Sequence, residues 1–178
     1  MTERGSSTGL AASRAAVRLL TRRPLSEDEL CRRLEAQGYA AADVASACSR
    51  LRQAGYLDDR RLATDFIVTR AERLGHGPEK LLADLLRRGI RAEVARSAMH
   101  LAIEQGDVVP RELLRARIRN RLGAGEPPLP PRAYARMYNA LRRAGFDEES
   151  IVRELEPYRT LLDSAGELTA DERTDDLP

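Results

Sequence analysis

Leu81-Leu82-Ala83-Asp84-Leu85-Leu86-Arg87-Arg88-Gly89-Ile90 is the stretch that decides the fold of this chain. Leu81 and Leu85 are four residues apart, which places them on one face of a helix. Gly89 then suits the left-handed position that ends a helix, and the bulky Ile90 can fold back on the last turn. The stretch therefore predicts a helix that a glycine turn closes.

The same pattern occurs three times in the 178 residues of the chain. The copies lie 51 and 56 residues apart, and each precedes another amphipathic segment by five or six residues. They are Leu30–Leu34–Gly38–Tyr39, Leu81–Leu85–Gly89–Ile90 and Met137–Leu141–Gly145–Phe146. Such spacing is typical of repeat proteins, which present long surfaces to macromolecules more often than they enclose small molecules.

The composition favours helices throughout. Aromatic residues make up 4% of the chain, Trp is absent, and Ala, Leu, Arg and Glu dominate. We therefore predict an all-α fold of tandem three-helix bundles, in three units with about nine helices, that form an elongated, curved body. The expected organisation is a disordered leader over 1–13, repeats over 14–57, 58–106 and 107–162, a proline-rich connector at 123–131, and a disordered acidic tail over 163–178.

The charge is distributed unevenly along the chain. Residues 163–178 carry a net charge of −5, which leaves residues 1–162 at +7. A basic body suggests a polyanionic partner, or a protein partner that is itself wrapped on one. No apolar run is long enough for a membrane span, and Cys31 and Cys48 fit reduced thiols better than a disulfide. We therefore expect a cytoplasmic protein with no membrane contact. We also expect it to be a monomer.

Few residues suggest catalysis. Asp58-Asp59 could form an acid–base or metal site, but the pair follows Gly55 and Leu57 where a helix must begin, and helix capping is the better interpretation. His76 is expected to be a polar turn residue and His100 a partly exposed helix residue. Because the sequence has no Ser-His-Asp order, phosphate-binding glycine loop or Cys-His cluster, we predict no enzyme, no catalytic residues, no metal and no cofactor.

Arginine clusters are the main candidates for a binding surface. The strongest is a basic segment in which only Glu112 offsets the positive charge, and its members are Arg111, Arg115, Arg117, Arg119 and Arg121. Two further groups are Arg87, Arg88 and Arg91, and Arg14, Arg18 and Arg22. Few aromatic residues accompany them, so contacts to phosphates or to an acidic protein surface fit better than base stacking. Sequence-specific duplex recognition is disfavoured because the third helices of the first and third units lack suitable side chains.

One longer motif resembles a known family. Gly55-Tyr56-Leu57-Asp58-Asp59-Arg60-Arg61-Leu62-Ala63, then Gly77, then Leu85-Leu86-Arg87-Arg88-Gly89-Ile90 is similar to the bacterial RecX family. The resemblance covers 14–106 by motif and 110–160 by helix pattern only. Leu62 stands where that family usually has Phe, and the proline-rich insertion at 123–131 is a second departure.

The resemblance implies a regulator of the RecA recombinase that is built of three-helix repeats. It would bind along the RecA filament on single-stranded DNA, and would inhibit filament growth, strand exchange and ATP hydrolysis without catalytic residues of its own. The residues alone leave two alternatives open: a nucleic-acid-binding module that acts without RecA, and a helical scaffold for an unrelated protein.

Overall fold

The computed structural model describes residues 3–123 and 128–159, with side chains from Gly9 onward. Within these residues the chain forms α-helices, one 3-10 turn (Glu156–Tyr158) and a single parallel bridge between Leu129 and Arg159. The helices are α1 (Glu3–Arg22), α2 (Glu27–Ala36), α3 (Ala41–Gln53), α4 (Asp59–Leu74), α5 (Pro78–Arg87), α6 (Ala92–Glu104), α7 (Pro110–Leu122), α8 (Pro131–Arg143) and α9 (Glu148–Leu155). The predicted all-α fold is confirmed.

Each group of three helices has its own apolar core. Repeat 1 comprises α1–α3, repeat 2 comprises α4–α6 and repeat 3 comprises α7–α9. The fully buried side chains at their centres are Leu30, Leu34 and Val44 in repeat 1, Ile67, Leu81 and Leu85 in repeat 2, and Leu141, Ile151 and Leu155 in repeat 3. Since each core is small, the contacts between repeats matter for stability.

The glycine turn predicted from the sequence forms in all three repeats. In repeat 2 the Ile90 N–H donates to the Leu85 carbonyl (3.1 Å) and the Gly89 N–H to the Leu86 carbonyl (2.9 Å). This pair of bonds is the Schellman closure of a helix, and it requires the left-handed backbone that Gly89 adopts at φ +80°. The equivalent long bonds run from Tyr39 to Leu34 and from Phe146 to Leu141.

Joint 1, between repeats 1 and 2, places the start of α2 on the turn between α5 and α6. Ser26 caps α2 by accepting from the Glu29 N–H (3.1 Å), and its hydroxyl donates to the Arg88 carbonyl (2.5 Å). The Glu27 N–H donates to Asp59 Oδ1 at 2.9 Å. Ser26 is completely buried.

Joint 2, between repeats 2 and 3, uses the corresponding elements one repeat further on. The Gly77 N–H donates to the Ala144 carbonyl (2.8 Å), and the Glu79 N–H donates to the Gly145 carbonyl (3.0 Å). The two backbones approach so closely that a Cβ on Gly77 would lie 2.5 Å from the Gly145 carbonyl carbon. The described contacts thus connect the repeats in series.

The expected leader over 1–13 is wrong where the structure describes it. Helix α1 begins at Glu3, and Ala12 is fully buried. Arg50 of α3 secures the segment by donating to the Gly9 carbonyl (3.2 Å) and to Ser13 Oγ (2.9 Å).

Repeat 3 differs from the prediction at the start of α8 and at the end of α9. Helix α8 begins at Pro131, so the connector at 123–131 ends one residue earlier than expected. Helix α9 ends at Leu155, because Pro157 cannot continue the backbone ladder and a 3-10 turn follows. Residues 124–127 of the connector and the predicted acidic tail over 163–178 lie outside the described residues.

Candidate partner-binding surfaces

The two carboxylates of Asp58-Asp59 serve two different helices. Asp58 Oδ1 accepts from the Arg61 N–H (3.0 Å) and caps α4, as predicted. Asp59 faces the other way and accepts the Glu27 N–H at the start of α2. Burial raises the pKa of Asp59, while that hydrogen bond and the charge of Arg91 oppose the rise. The pair therefore connects repeats and does not converge on one ligand.

Metal-binding geometry is likewise missing from the part of the chain that the structure describes. No group of three or more His, Cys, Asp or Glu side chains is placed there to hold a metal ion. No helix within the same residues is both apolar enough and long enough to span a bilayer.

The remaining motif residues lie in the cores and joints. Leu57 is 4% exposed in the core of repeat 1, and Ile90 is 2% exposed in that of repeat 2. Gly55 follows α3, while Gly77 and Gly89 lie at joints 2 and 1 respectively. A Cβ on Gly89 would overlap the side chain of Asp28 in α2. These motif residues therefore serve the packing within and between the repeats.

Three of the five arginines on α7 are engaged inside the molecule. The Nε–H groups of Arg111 and Arg115 each donate to one oxygen of Glu154 on α9, both at 2.6 Å. The Glu154 side chain is 9% exposed, and hydrogen bonds from Arg115 and Arg111 lower its pKa. Arg117 donates to the carbonyls of Leu74 (2.8 Å) and Gly75 (3.1 Å) at the end of α4. These arginines hold repeat 3 together and fix it to repeat 2.

Arg119 and Arg121 are the members of that segment which remain exposed without a hydrogen bond or ion pair to a described residue. They lie in the last turn of α7, where positive charge also favours the helix dipole. Of the predicted five-arginine surface, two arginines at one end of α7 are thus exposed without a partner among the described residues.

The second predicted cluster, around α5, is also divided. Arg87 pairs with Asp84. The Arg88 guanidinium lies 5.1 Å from the centroid of the Phe66 ring, and burial, then the charge of Arg23, lowers its pKa. Arg91 is exposed and borders the same polar hollow as Asp59. These three arginines do not form one continuous face.

The α1 row, Arg14, Arg18 and Arg22, has the features that the α7 segment lacks. All three side chains are exposed, and none pairs with a residue in the described ranges. Their four-residue spacing corresponds to about 6 Å along the helix for each step. Between Arg4 and Ser26 the sequence has no acidic residue. Arg14 and Arg18 also line a hollow of about 370 Å³ with Tyr39.

Sequence reasoning missed a second unpaired row, on α8. Arg132, Arg136 and Arg143 are exposed there and, among the described residues, have no hydrogen-bond or ion-pair partner. Helix α8 contains four arginines and no acidic residue, which is a signal that the sequence alone offers.

An apolar groove lies beside the α1 row. It has a volume of about 490 Å³, and its lining includes Val17, Leu20, Leu25, Leu62 and the largely exposed Tyr56. The α1 row and this groove therefore lie next to each other on the exposed side of α1.

His76 is more buried than a simple turn residue. Its side chain is 15% exposed and lies between α4 and α5, with Nδ1 4.0 Å from Asp84 Oδ2. Burial lowers the pKa of His76, and the positive charge of Lys80 lowers it further. His100 is exposed on α6, 3.1 Å from Glu104, as expected of a helix surface residue.

The geometry defines an all-helical tandem-repeat protein with basic outer faces. Comparison with known proteins shows which family of such repeat proteins this chain resembles. Residues 12–51 match the model of RecX, first three-helix domain, and residues 58–99 match that of RecX, second three-helix domain.

Relatives and solved structures agree with these matches. Regulatory protein RecX of Chromohalobacter salexigens is 36% identical over 136 residues, covering 76% of this chain and 85% of that protein. Regulatory protein RecX of Acidithiobacillus ferrooxidans is 39% identical over 150 residues, covering 84% and 89%. The crystal structure of RecX from Lactobacillus salivarius has a TM-score of 0.69 at 17% identity, covering 85% of this chain and 96% of that one. The chain belongs to the RecX family of regulatory proteins, and the resemblance seen in the sequence is confirmed.

Proposed function

We propose that this protein binds the RecA filament on single-stranded DNA and inhibits its growth, strand exchange and ATP hydrolysis. Membership of a family of regulatory proteins supports a regulatory role. The observation that carries the proposal is the α1 row, whose exposed guanidinium groups have no acceptor among the described residues. Such groups suit phosphates or the acidic surface of a partner.

The proposed contacts are a subset of the arginines that the sequence suggested. Arg111, Arg115 and Arg117 act within the protein, where they position repeat 3. Arg14, Arg18 and Arg22 on α1, with Arg119 and Arg121 on α7, supply the charge that meets the filament. The protein acts as a monomer in the cytoplasm, regulates by binding, and requires no metal, cofactor or catalytic residue of its own.

The first experiment measures RecA-driven ATP hydrolysis and strand exchange as the protein concentration is raised. Inhibition is expected to become complete at micromolar protein. Absence of inhibition in that range would end the proposal.

Matched variants then test which surface is used. The triple variant Arg14→Gln, Arg18→Gln, Arg22→Gln should inhibit about tenfold less strongly, because three exposed cations are lost from one contact face. The control variant carries Arg60→Gln, Arg73→Gln and Arg96→Gln, which removes the same charge from exposed positions of repeat 2. Equal loss of inhibition in both variants would exclude a specific role for α1 and leave only net charge.

A second candidate function is binding of single-stranded nucleic acid without RecA, which the unpaired rows on α1 and α8 favour. Each phosphate contact contributes about 0.7 to the slope of log affinity against log salt for single strands. A titration on bare strands with a slope of about 2 or more, reduced by the α1 variant, would favour this candidate. Inhibition of RecA without such binding would favour the filament.

A further inference from the structure

Cys31 on α2 and Cys48 on α3 face each other, with their sulfur atoms 2.9 Å apart. Both are free thiols in the structure. Their proximity could not be predicted from the sequence, because they are 17 residues apart on two different helices. We propose that this pair is a redox modification site, at which a small-molecule disulfide converts the two thiols into an intramolecular disulfide that joins α2 to α3.

The packing of α2 on α3 holds the two thiols in register. The ion pair between Glu27 and Arg52 (2.8 Å) connects the same two helices, four residues before Cys31 and four residues after Cys48. Because the helices run antiparallel, the ion pair and the thiol pair form successive rungs between them. A disulfide has a sulfur–sulfur distance of about 2.05 Å, so the two atoms need to approach by only about 0.9 Å.

The two thiols differ in their access to an oxidant. Cys48 is 1% exposed, whereas Cys31 is partly exposed. Burial, and then the hydrogen bond with Cys31, raises the pKa of Cys48 to about 12. The contribution from Cys31 disappears once its sulfur is covalently occupied. Cys31 is therefore the thiol that meets the oxidant, and Cys48 is the one that completes the bond.

The reaction is thiol–disulfide exchange in two steps. The Cys31 thiolate attacks one sulfur of the small disulfide, which forms a mixed disulfide and releases one small thiolate that takes up a proton. Cys48 then loses its proton and its sulfur attacks Cys31 Sγ, which releases the second small thiol. In total, two protein thiols are oxidised and one small disulfide is reduced to two thiols.

The cross-link would act on joint 1 as well as on repeat 1. It closes the loop that contains the turn between α2 and α3, and it lies one helical turn from Glu27, whose N–H binds Asp59 of repeat 2. Since Cys31 and Cys48 are 17 residues apart, closing the loop between them predicts a rise in the thermal midpoint of about 6–12 °C on oxidation. The inference does not depend on the proposed function.

The test equilibrates the full chain in glutathione buffers of graded ratio of disulfide to thiol, then alkylates the remaining thiols and measures intact mass. We expect a monomeric species that has lost two hydrogen atoms and carries no alkyl group, with Cys31 and Cys48 joined in one peptide. Reduction should reverse the rise in the thermal midpoint. By linkage, the disulfide should form with an equilibrium constant about 100-fold greater in the native protein than in urea.

Single variants separate the steps. Cys48→Ser should accumulate a mixed disulfide at Cys31, whereas Cys31→Ser should resist the same buffers. The wild-type result stands without the variants, so their stability does not limit the test. Alkylation of both thiols at every ratio, a mixed disulfide that persists in the wild type, disulfide-linked dimers alone, or an equilibrium constant no greater than in urea would each overturn the proposal.

Discussion

Replacing Gly77 with alanine should loosen joint 2, although alanine adopts the backbone of Gly77 without strain. Gly77 lies at φ −77°, where the substitution by itself would restrict the unfolded chain and stabilise the protein by about 0.4–1 kcal/mol. The new Cβ, however, would lie 2.5 Å from the Gly145 carbonyl carbon and 2.8 Å from the Phe146 nitrogen. Both atoms belong to the backbone, so the repeats must separate. Loss of the two backbone bonds of the joint costs about 0.5–1.5 kcal/mol each. The expected net effect is a destabilisation of about 1–2 kcal/mol, opposite in sign to the effect of the same change at an unobstructed site with negative φ.

Two measurements check this expectation. Urea denaturation gives the free energy of unfolding, and amide hydrogen exchange at positions 77 and 79 reports on the joint itself. Gly38→Ala is the control, because Gly38 lies at φ +87° with nothing within 4 Å of its added Cβ. It should cost about 1–2 kcal/mol through backbone strain while both amides stay protected. A Gly77→Ala protein that is more stable than the wild type, or whose two amides exchange as slowly, would refute the role of this contact.

Three further predictions concern charge and capping. Glu154→Gln should lower the free energy of unfolding by about 0.5–1 kcal/mol at neutral pH, since both arginines that pair with Glu154 are exposed to solvent. The folded-state pKa of Glu154 lies below its ordinary value of 4.5, so the stability that its carboxylate contributes is present above pH 4.5 and is lost as the pH falls through the folded-state pKa. The stability of the Gln variant should therefore change less with pH in acid than that of the wild type. His76 also has a lowered pKa, so the wild type should lose stability as the pH falls below about 6.5, and His76→Gln should remove that loss in thermal unfolding between pH 8 and pH 5. Ser26→Ala should cost about 1–3 kcal/mol in urea denaturation, since it removes both a helix cap and a bond of joint 1, whereas Asp147→Ala, which removes the cap of α9 alone, should cost about 1 kcal/mol.

The helices and their ends could be predicted from the sequence because the interactions that set them are local. The Schellman closure at Gly89 involves residues at most five apart, so one short stretch of sequence contains every residue that it needs. The Asp58 cap and the first-turn position of Pro78 are similarly short in range. A start at Glu3 was missed because burial of Ala12 depends on α3, a separate helix.

The proposed binding surface could not be predicted in the same way, because pairing between distant residues decides which arginines are free. Arg111 and Glu154 are 43 residues apart, and Arg117 is 43 residues from Leu74. The arginine-rich helix α7 therefore forms internal contacts that stabilise the fold. The rows that remain exposed, on α1 and α8, lie on helices without acidic residues near their arginines.

The two joints take their donor from the same position of the repeat. The residue before the second helix of a repeat supplies the donor, through the Ser26 hydroxyl in joint 1 and the Gly77 N–H in joint 2. The acceptors are the corresponding carbonyls of Arg88 and Ala144, one repeat further on. In repeat 3 this position is Pro130, which has neither a hydroxyl nor an N–H. Pro130 therefore cannot supply the donor that Ser26 and Gly77 supply, so the proline-rich segment that departs from the family pattern also removes the joint donor from repeat 3.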